Sequence, residues 1–121
     1  MNILVVEDHA FFRSLIRDAL DAGFPSSYIV SVETSEDAMA EIQKKHFDIA
    51  VLDISLPDEN GLELTKKIRR LFPDMKIIIY TQHSLPEYRD AAFEYGADQF
   101  LSKKDKNPKE LAELIATMTT P

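Results

Sequence analysis

Five side chains that can do chemistry stand at, or shortly after, the ends of short apolar segments in this sequence. They are Glu7, Asp8, Asp53, Thr81 and Lys103. Three clustered carboxylates repel one another unless a cation joins them, and an oxygen-only donor set suits a hard ion such as Mg²⁺. A carboxylate can also be the nucleophile that forms an aspartyl phosphate, with Lys and Thr as donors to the phosphoryl oxygens. The residue types therefore suit Mg²⁺-assisted phosphoryl chemistry, provided that the fold brings them together.

The apolar segments that precede these residues have the character of buried strands. Continuous runs at 3–6, 49–52 and 77–80 are typical of parallel strands covered on both faces. A shorter run at 99–101 predicts another strand, and residues 28–32 alternate like an edge strand. The carboxyl ends of parallel strands meet at one edge of an open sheet, which is where ligands bind.

Segments with helical spacing separate these runs. Apolar residues recur at three- and four-residue intervals in 12–20, 38–42 and 64–71. The last helix is predicted to begin with Asn107 as its cap and Pro108 in its first position. Five alternations of strand and helix predict right-handed crossovers and a doubly wound α/β fold, a five-stranded parallel sheet with helices on both faces.

Composition narrows the classes of function. The chain has 121 residues and no linker-like segment, which predicts one domain over residues 1–121. A net charge of −7 argues against binding nucleic acid or an anionic membrane directly. Because there is no Cys, disulfides, thiolate metal sites and cysteine nucleophiles are excluded, and a cytoplasmic location is expected.

One segment makes the chain resemble a known family. In residues 53–64 a Pro follows Asp53 by four positions and a Gly follows it by eight, as after the phosphoacceptor strand of response-regulator receiver domains. The stretches at 7–13 and 100–105 are most similar to the NarL-type subfamily. The resemblance covers essentially the whole chain and implies a flavodoxin-like (βα)5 fold with strand order 2-1-3-4-5.

The same resemblance implies a metal site. Glu7 and Asp8 would be the family's acidic pair, Asp8 and Asp53 would bind Mg²⁺ directly, and the backbone carbonyl of Ser55 would be a third ligand. Asp53 would also be the residue that becomes a phosphoaspartate. The expected cofactor is Mg²⁺ alone.

A switch is implied as well. Thr81 is similar to the family's switch hydroxyl, Lys103 to its phosphate-binding lysine, and Phe100 to its switch aromatic residue. Three features depart from the common pattern. Lys104 replaces the Pro that often follows the lysine, so a trans bond is expected there. Gln82 stands where a small residue usually follows the switch hydroxyl. Phe100 lacks the hydroxyl of the commoner Tyr, so no phenolic hydrogen bond would help to bury its ring on activation, and a packed sheet residue is expected.

Other functions fit less well. A phosphatase with an Asp nucleophile usually has a second Asp two residues later as general acid, and Ser55 stands there. A flavin carrier needs a phosphate-binding loop after the first strand, where residues 7–11 would instead repel a phosphate. A degenerate receiver would lack a site residue, and none is missing. His9, beside Asp8, is expected to be merely exposed.

The resemblance therefore implies a phosphoacceptor switch rather than an enzyme, one that assists its own aspartyl phosphorylation and dephosphorylation in two-component signalling. The expected partner is a histidine kinase or phosphotransfer protein, with a homodimer forming on phosphorylation and no membrane contact. Control of transcription would require a C-terminal DNA-binding output domain beyond this chain. The polar residues 119–121 are where a linker to that domain would begin.

Overall fold

Strands and helices alternate along the chain as the apolar pattern predicts. The computed structural model describes residues 1–119, so the last two residues of the expected linker lie outside the described part. The strands are β1 (Asn2–Val6), β2 (Tyr28–Val32), β3 (Ile49–Leu52), β4 (Lys76–Thr81) and β5 (Gln99–Ser102). The helices are α1 (Ala10–Gly23), α2 (Ser35–Lys44), α3 (Gly61–Leu71), α4 (Pro86–Glu94) and α5 (Pro108–Thr119).

All five strands form one parallel sheet in the order β2-β1-β3-β4-β5. This confirms the predicted doubly wound fold and its strand order. Every residue of β3, in the centre, is buried, whereas β2 at the edge is only partly buried. Two apolar clusters cover the two faces of the sheet, so each continuous apolar run contributes to both.

The helices pack on the sheet through apolar stripes, and some residues at the edges of these stripes remain exposed to solvent. Ile16 and Leu20 of α1 are buried, but Leu15, which the spacing places on the same stripe, is 37% exposed. Leu71, the last residue of α3, is 53% exposed although the spacing places it on the apolar stripe of that helix. Within residues 1–119 no helix combines the length and apolar character needed to cross a membrane.

The predicted start of α5 is confirmed by a reciprocal cap. The Asn107 side chain accepts a hydrogen bond from the Glu110 N–H at 2.9 Å, and the Glu110 carboxylate accepts one from the Asn107 N–H at 3.1 Å. Pro108 occupies the first helical position, where its missing N–H costs nothing.

Gly61, the first residue of α3, packs directly on the backbone of Asp53. A Cβ atom at residue 61 would lie 1.9 Å from the carbonyl oxygen of Asp53, far inside van der Waals contact. The Gly61 N–H also donates to the carbonyl of Ile54 at 2.8 Å. Absence of a side chain at this position therefore lets α3 begin against the strand end that carries Asp53.

We expect Gly61→Ala to lower the free energy of unfolding by on the order of 3 kcal/mol, because the backbone of Asp53 would have to move. Urea unfolding followed by circular dichroism measures this. Gly23→Ala is the control, since its Cβ would lie 3.5 Å from that of Ala112, an ordinary contact. Its stability should stay within about 1 kcal/mol of the parent. Equal losses in the two variants would contradict the steric explanation.

Candidate functional site

The carboxyl edge of the sheet gathers the five residues singled out in the sequence. Glu7 and Asp8 follow β1, Asp53 follows β3, Thr81 ends β4, and Lys103 follows β5. These four strands are neighbours: β1 and β3 end level, as do β4 and β5, and β4 extends two residues beyond the end of β3, where Leu52 pairs with Ile79. The fold therefore brings together residues that are up to 96 positions apart in the chain.

Three carboxylates form the acidic part of the site. One oxygen each from Glu7, Asp8 and Asp53 lies within 4.8 Å of the others, close enough to bind one ion. Glu7 is 1% exposed and Asp53 is 7% exposed, whereas Asp8 is open to solvent. An ion held here would thus bind two nearly buried acids and still reach water beside Asp8.

Lys103 is the cation that offsets this charge. Its Nζ lies 3.0 Å from Oδ2 of Asp53 and also donates to Oε1 of Glu7. The side chain is only 4% exposed, so the two ion pairs are shielded from solvent. One ammonium faces three carboxylates, which leaves an excess of negative charge when all three are ionised.

Burial raises the pKa of Glu7 above its ordinary value, because the ionised form loses its hydration. The hydrogen bond from Lys103 acts in the opposite direction, and the nearby charge of Asp53 raises the pKa further. The ionised form of Glu7 therefore benefits from a cation beside it.

The orientation of Asp53 is set from two sides. Its Oδ1 accepts a hydrogen bond from the Ser55 N–H at 3.3 Å, while its Oδ2 faces Lys103. Ser55 is exposed and lines the same cavity as the acids. All of the side-chain donors here are carboxylate oxygens, and two of the three acids share one ammonium, that of Lys103. The site therefore fits a hard divalent ion such as Mg²⁺.

The loop that carries Lys103 is tied to β4. The Lys103 N–H donates to the carbonyl of Thr81 at 2.8 Å, and the buried hydroxyl of Tyr80 donates to the carbonyl of Lys106 at 2.7 Å. Burial raises the pKa of Tyr80 to about 12, so it remains a donor. Residues 1–119 contain no cis peptide bond, which confirms the expected trans bond between Lys103 and Lys104.

The two residues predicted to switch are both turned inward. Thr81 is fully buried, and its hydroxyl oxygen accepts a hydrogen bond from the His83 N–H at 3.2 Å. Phe100 is 7% exposed and belongs to the core cluster on one face of the sheet. Neither lines the cavity at the acids, so their roles in switching remain predictions.

Four further residues line the cavity beside the acids: His9, Phe12, Gln82 and His83. The sequence pattern placed Phe12 on the stripe of α1, but its ring centroid lies 4.5 Å from the Lys103 Nζ, a cation–π contact. His9 is exposed, as expected, yet its Nδ1 caps α1 by accepting from the Phe12 N–H at 3.4 Å. In the sequence, only its position two residues after Thr81 could have indicated that His83 lines the site.

Comparison with known proteins decides the family. The family model described as "Response regulator receiver domain" matches residues 3–116. The chain belongs to the response regulator receiver domain family. Its (βα)5 fold and the acids at the carboxyl edge of the sheet agree with this assignment.

Several members of this family are similar over most of the chain. The response regulator UvrY of Escherichia coli is 31% identical over 118 residues, covering 98% of this chain and 54% of UvrY. The sensor histidine kinase RcsC of the same organism is 35% identical over 103 residues, 85% of this chain and 11% of RcsC. A solved LuxR-family DNA-binding response regulator from Staphylococcus aureus is 25% identical, with a TM-score of 0.89 over 98% of both chains.

The receiver domain thus spans about half the length of UvrY and about a tenth of that of RcsC. The similar proteins include response regulators, and one of the solved structures is described as a DNA-binding response regulator of the LuxR family. The chain is a response regulator receiver domain, and transcriptional regulators are among its relatives.

We expect Lys103→Met to lower the free energy of unfolding at pH 7 by about 3–5 kcal/mol, because it leaves two buried carboxylates without their cation. It also removes the hydrogen bond that opposes the raised pKa of Glu7. Protonated Glu7 is the better-tolerated form in the folded state. The variant should therefore be closest to the parent below pH 4.5, the ordinary value, and lose stability as the pH rises through the raised pKa.

Urea unfolding between pH 4 and pH 8 tests this, with Lys104→Met as the control. Lys104 is exposed, so its replacement should cost less than about 0.5 kcal/mol at any pH. A loss of unfolding free energy in Lys103→Met that does not change with pH would contradict the assignment of Glu7 as the acid with the raised pKa.

Proposed function

We propose that this domain accepts a phosphoryl group on Asp53 from a phosphohistidine of a histidine kinase or phosphotransfer protein, with Mg²⁺, and changes conformation to control an output. The observation that carries the proposal is the Asp53 carboxylate itself. It lies at the carboxyl edge of the sheet, close enough to Glu7 and Asp8 for one ion to bind all three carboxylates. One of its oxygens is 3.0 Å from the Lys103 Nζ.

In the proposed transfer an oxygen of Asp53 attacks the phosphorus of the donor. A new P–O bond forms, the P–N bond to the donor imidazole breaks, and its electron pair remains on the imidazole nitrogen. Mg²⁺, held by Asp8, Asp53 and the carbonyl of Ser55, would offset the charge of the phosphoryl oxygens. Lys103 already lies beside the attacked carboxylate, so its ammonium can pair with a phosphoryl oxygen without a large movement.

The domain on this proposal is a phosphoacceptor switch that assists its own phosphorylation and dephosphorylation. Ser55 follows Asp53 by two residues and is no general acid at neutral pH. Gln82 and His83 line the same cavity, so their side chains would limit the space for an attacking water. The phosphoaspartate should therefore persist long enough to signal.

The proposed conformational change runs through Thr81 and Phe100. The Thr81 hydroxyl can donate a hydrogen bond to a phosphoryl oxygen. This bond would draw the hydroxyl toward Asp53 and away from the His83 N–H, from which it now accepts a hydrogen bond. Because Ile79 and Thr81 of β4 pair with Phe100 and Ser102 of β5, this displacement would be felt by the core around Phe100.

The proposed output is transcription, through a C-terminal DNA-binding domain that follows residue 121 in the full protein. A phosphorylation-dependent homodimer and a cytoplasmic location belong to the same proposal. The similarity to UvrY and to the LuxR-family protein supports it. The similarity to RcsC favours a second candidate, a receiver segment of a sensor kinase. Reading the coding region on both sides of these 121 residues distinguishes the two.

We expect incubation with Mg²⁺ and a small phosphodonor such as acetyl phosphate to add one phosphoryl group, located at Asp53. Intact-mass spectrometry measures the addition. In the same sample, amide chemical shifts of residues 82–100 should change, because the proposed movement of Thr81 alters the loop after β4.

Asp53→Asn is the control, since it preserves the shape of the side chain while removing the nucleophilic oxygen. Full phosphorylation of Asp53→Asn, or of the parent without any divalent ion, would overturn the proposed function. Unchanged amide shifts in a phosphorylated parent would overturn the switch through Thr81 alone.

A further inference from the structure

The β3–α3 loop, residues 53–60, supplies both Asp53 and Ser55 to the candidate metal site. Its base is closed by the hydrogen bond from the Gly61 N–H to the carbonyl of Ile54. At its far end two acids, Asp58 and Glu59, attach the loop to neighbouring helices.

Asp58 holds the N-terminus of α2. Its Oδ1 accepts a hydrogen bond from the Ser35 N–H at 3.0 Å, and its Oδ2 accepts one from the Glu36 N–H at 3.0 Å. These are the first two N–H groups of the helix, which have no partner within it. The local cap, Thr34, satisfies a different donor, the Asp37 N–H at 3.0 Å. The hydrogen bond from Ser35 holds the pKa of Asp58 below its ordinary value, so Asp58 is charged at neutral pH.

Glu59 adds a second attachment beside the first. One carboxylate oxygen accepts a hydrogen bond from the hydroxyl of Ser35, which is only 3% exposed. The other oxygen lies 2.6 Å from the Nζ of Lys67 on α3. The end of the loop is thus joined to α2 by three hydrogen bonds and to α3 by an ion pair.

We propose that Asp58 is a positioning residue for the metal site: by anchoring the β3–α3 loop to the N-terminus of α2, it holds Asp53 and Ser55 in the arrangement that binds the ion. This inference rests on the proposed function, because it assigns a support to the same site. Asp58 itself lies outside the cavity at the acids and acts only through the loop.

Besides Asp58, the loop is held at this end by the contacts of Glu59 and by the cap that Asn60 makes on α3. Between Ser55 and Asp58 the described residues contribute only the partly buried Leu56 to the core. Without the Asp58 anchor the segment would gain conformational freedom, and binding of an ion would have to restore the order. Loss of a residue that supports metal ligands typically weakens binding by about 10–100-fold.

Calorimetric titration of the apo domain with MgCl₂ tests the proposal without any phosphorylation step. We expect Asp58→Ala to raise the dissociation constant for Mg²⁺ by about tenfold, the lower end for such supports. The dissociation constant of Asp58→Asn should lie between those of the parent and Asp58→Ala, because asparagine keeps one acceptor oxygen but loses the charge. In the same apo samples, hydrogen exchange of the Gly61 amide should be faster in Asp58→Ala than in the parent.

Asp37→Ala is the matched control. It removes an exposed acid from the first turn of α2 itself, so it changes the net charge equally and leaves the loop attached. Its Mg²⁺ affinity should stay within about twofold of the parent, since exposed charges several residues away are screened. All titrations are made at a temperature well below the midpoint of thermal unfolding of each variant. If Asp58→Ala does not fold, Asp58→Asn is used to test the proposal.

Equal weakening in Asp37→Ala and Asp58→Ala would overturn the proposal in favour of a general charge effect. Parent-like Mg²⁺ binding in a folded Asp58→Asn and Asp58→Ala would also overturn it, while leaving the proposed function intact. A parent that neither binds Mg²⁺ nor gains a phosphoryl group would instead overturn the proposed function. Tenfold weakening confined to the Asp58 variants, with faster exchange at Gly61, supports the anchor.

Discussion

The repulsion among three carboxylates at one edge of the sheet is the constraint on which the rest of this domain depends. Glu7 and Asp53 are nearly buried, and the single buried ammonium of Lys103 faces both. Burying acids in this way costs stability unless cations accompany them. A site of this kind favours added positive charge, either a metal ion or protons. The pKa of Glu7 is raised mainly by burial, against the hydrogen bond from Lys103, and the charge of Asp53 raises it further.

The surrounding structure keeps these groups close despite their repulsion. Adjacent parallel strands place the acids and the lysine near one another at the carboxyl edge of the sheet. Gly61 lets α3 begin against Asp53, and the Tyr80 hydroxyl fixes the loop after Lys103. A ring from α1, that of Phe12, covers the ammonium. Each contact limits the ways in which the cluster could relax by spreading apart, so relief has to come from a bound cation.

Much of this arrangement was predictable from the sequence, because strand ends in a parallel sheet share an edge. The apolar runs and the spacing of Pro57 and Gly61 after Asp53 led to the fold, the strand order and the family. The contacts of Phe12 and Asp58 were not predictable. Helical spacing assigns Phe12 to the apolar stripe of α1 but does not show which end of the sheet its ring reaches. Asp58 accepts hydrogen bonds from backbone N–H groups 22 and 23 residues away, and because every residue type except Pro has such a group, no sequence pattern marks them.

The dependence of stability on Mg²⁺ tests the central constraint most directly. We would measure the free energy of unfolding of the parent and of Asp8→Ala in urea over a range of MgCl₂ concentrations at constant ionic strength. The parent should gain about 1.4 kcal/mol for each tenfold increase above its dissociation constant, because the ion binds only the folded cluster. Asp8→Ala should be at least as stable as the parent without Mg²⁺ and gain far less with it. A parent that is indifferent to Mg²⁺, or an Asp8→Ala variant that gains as much, would contradict the account.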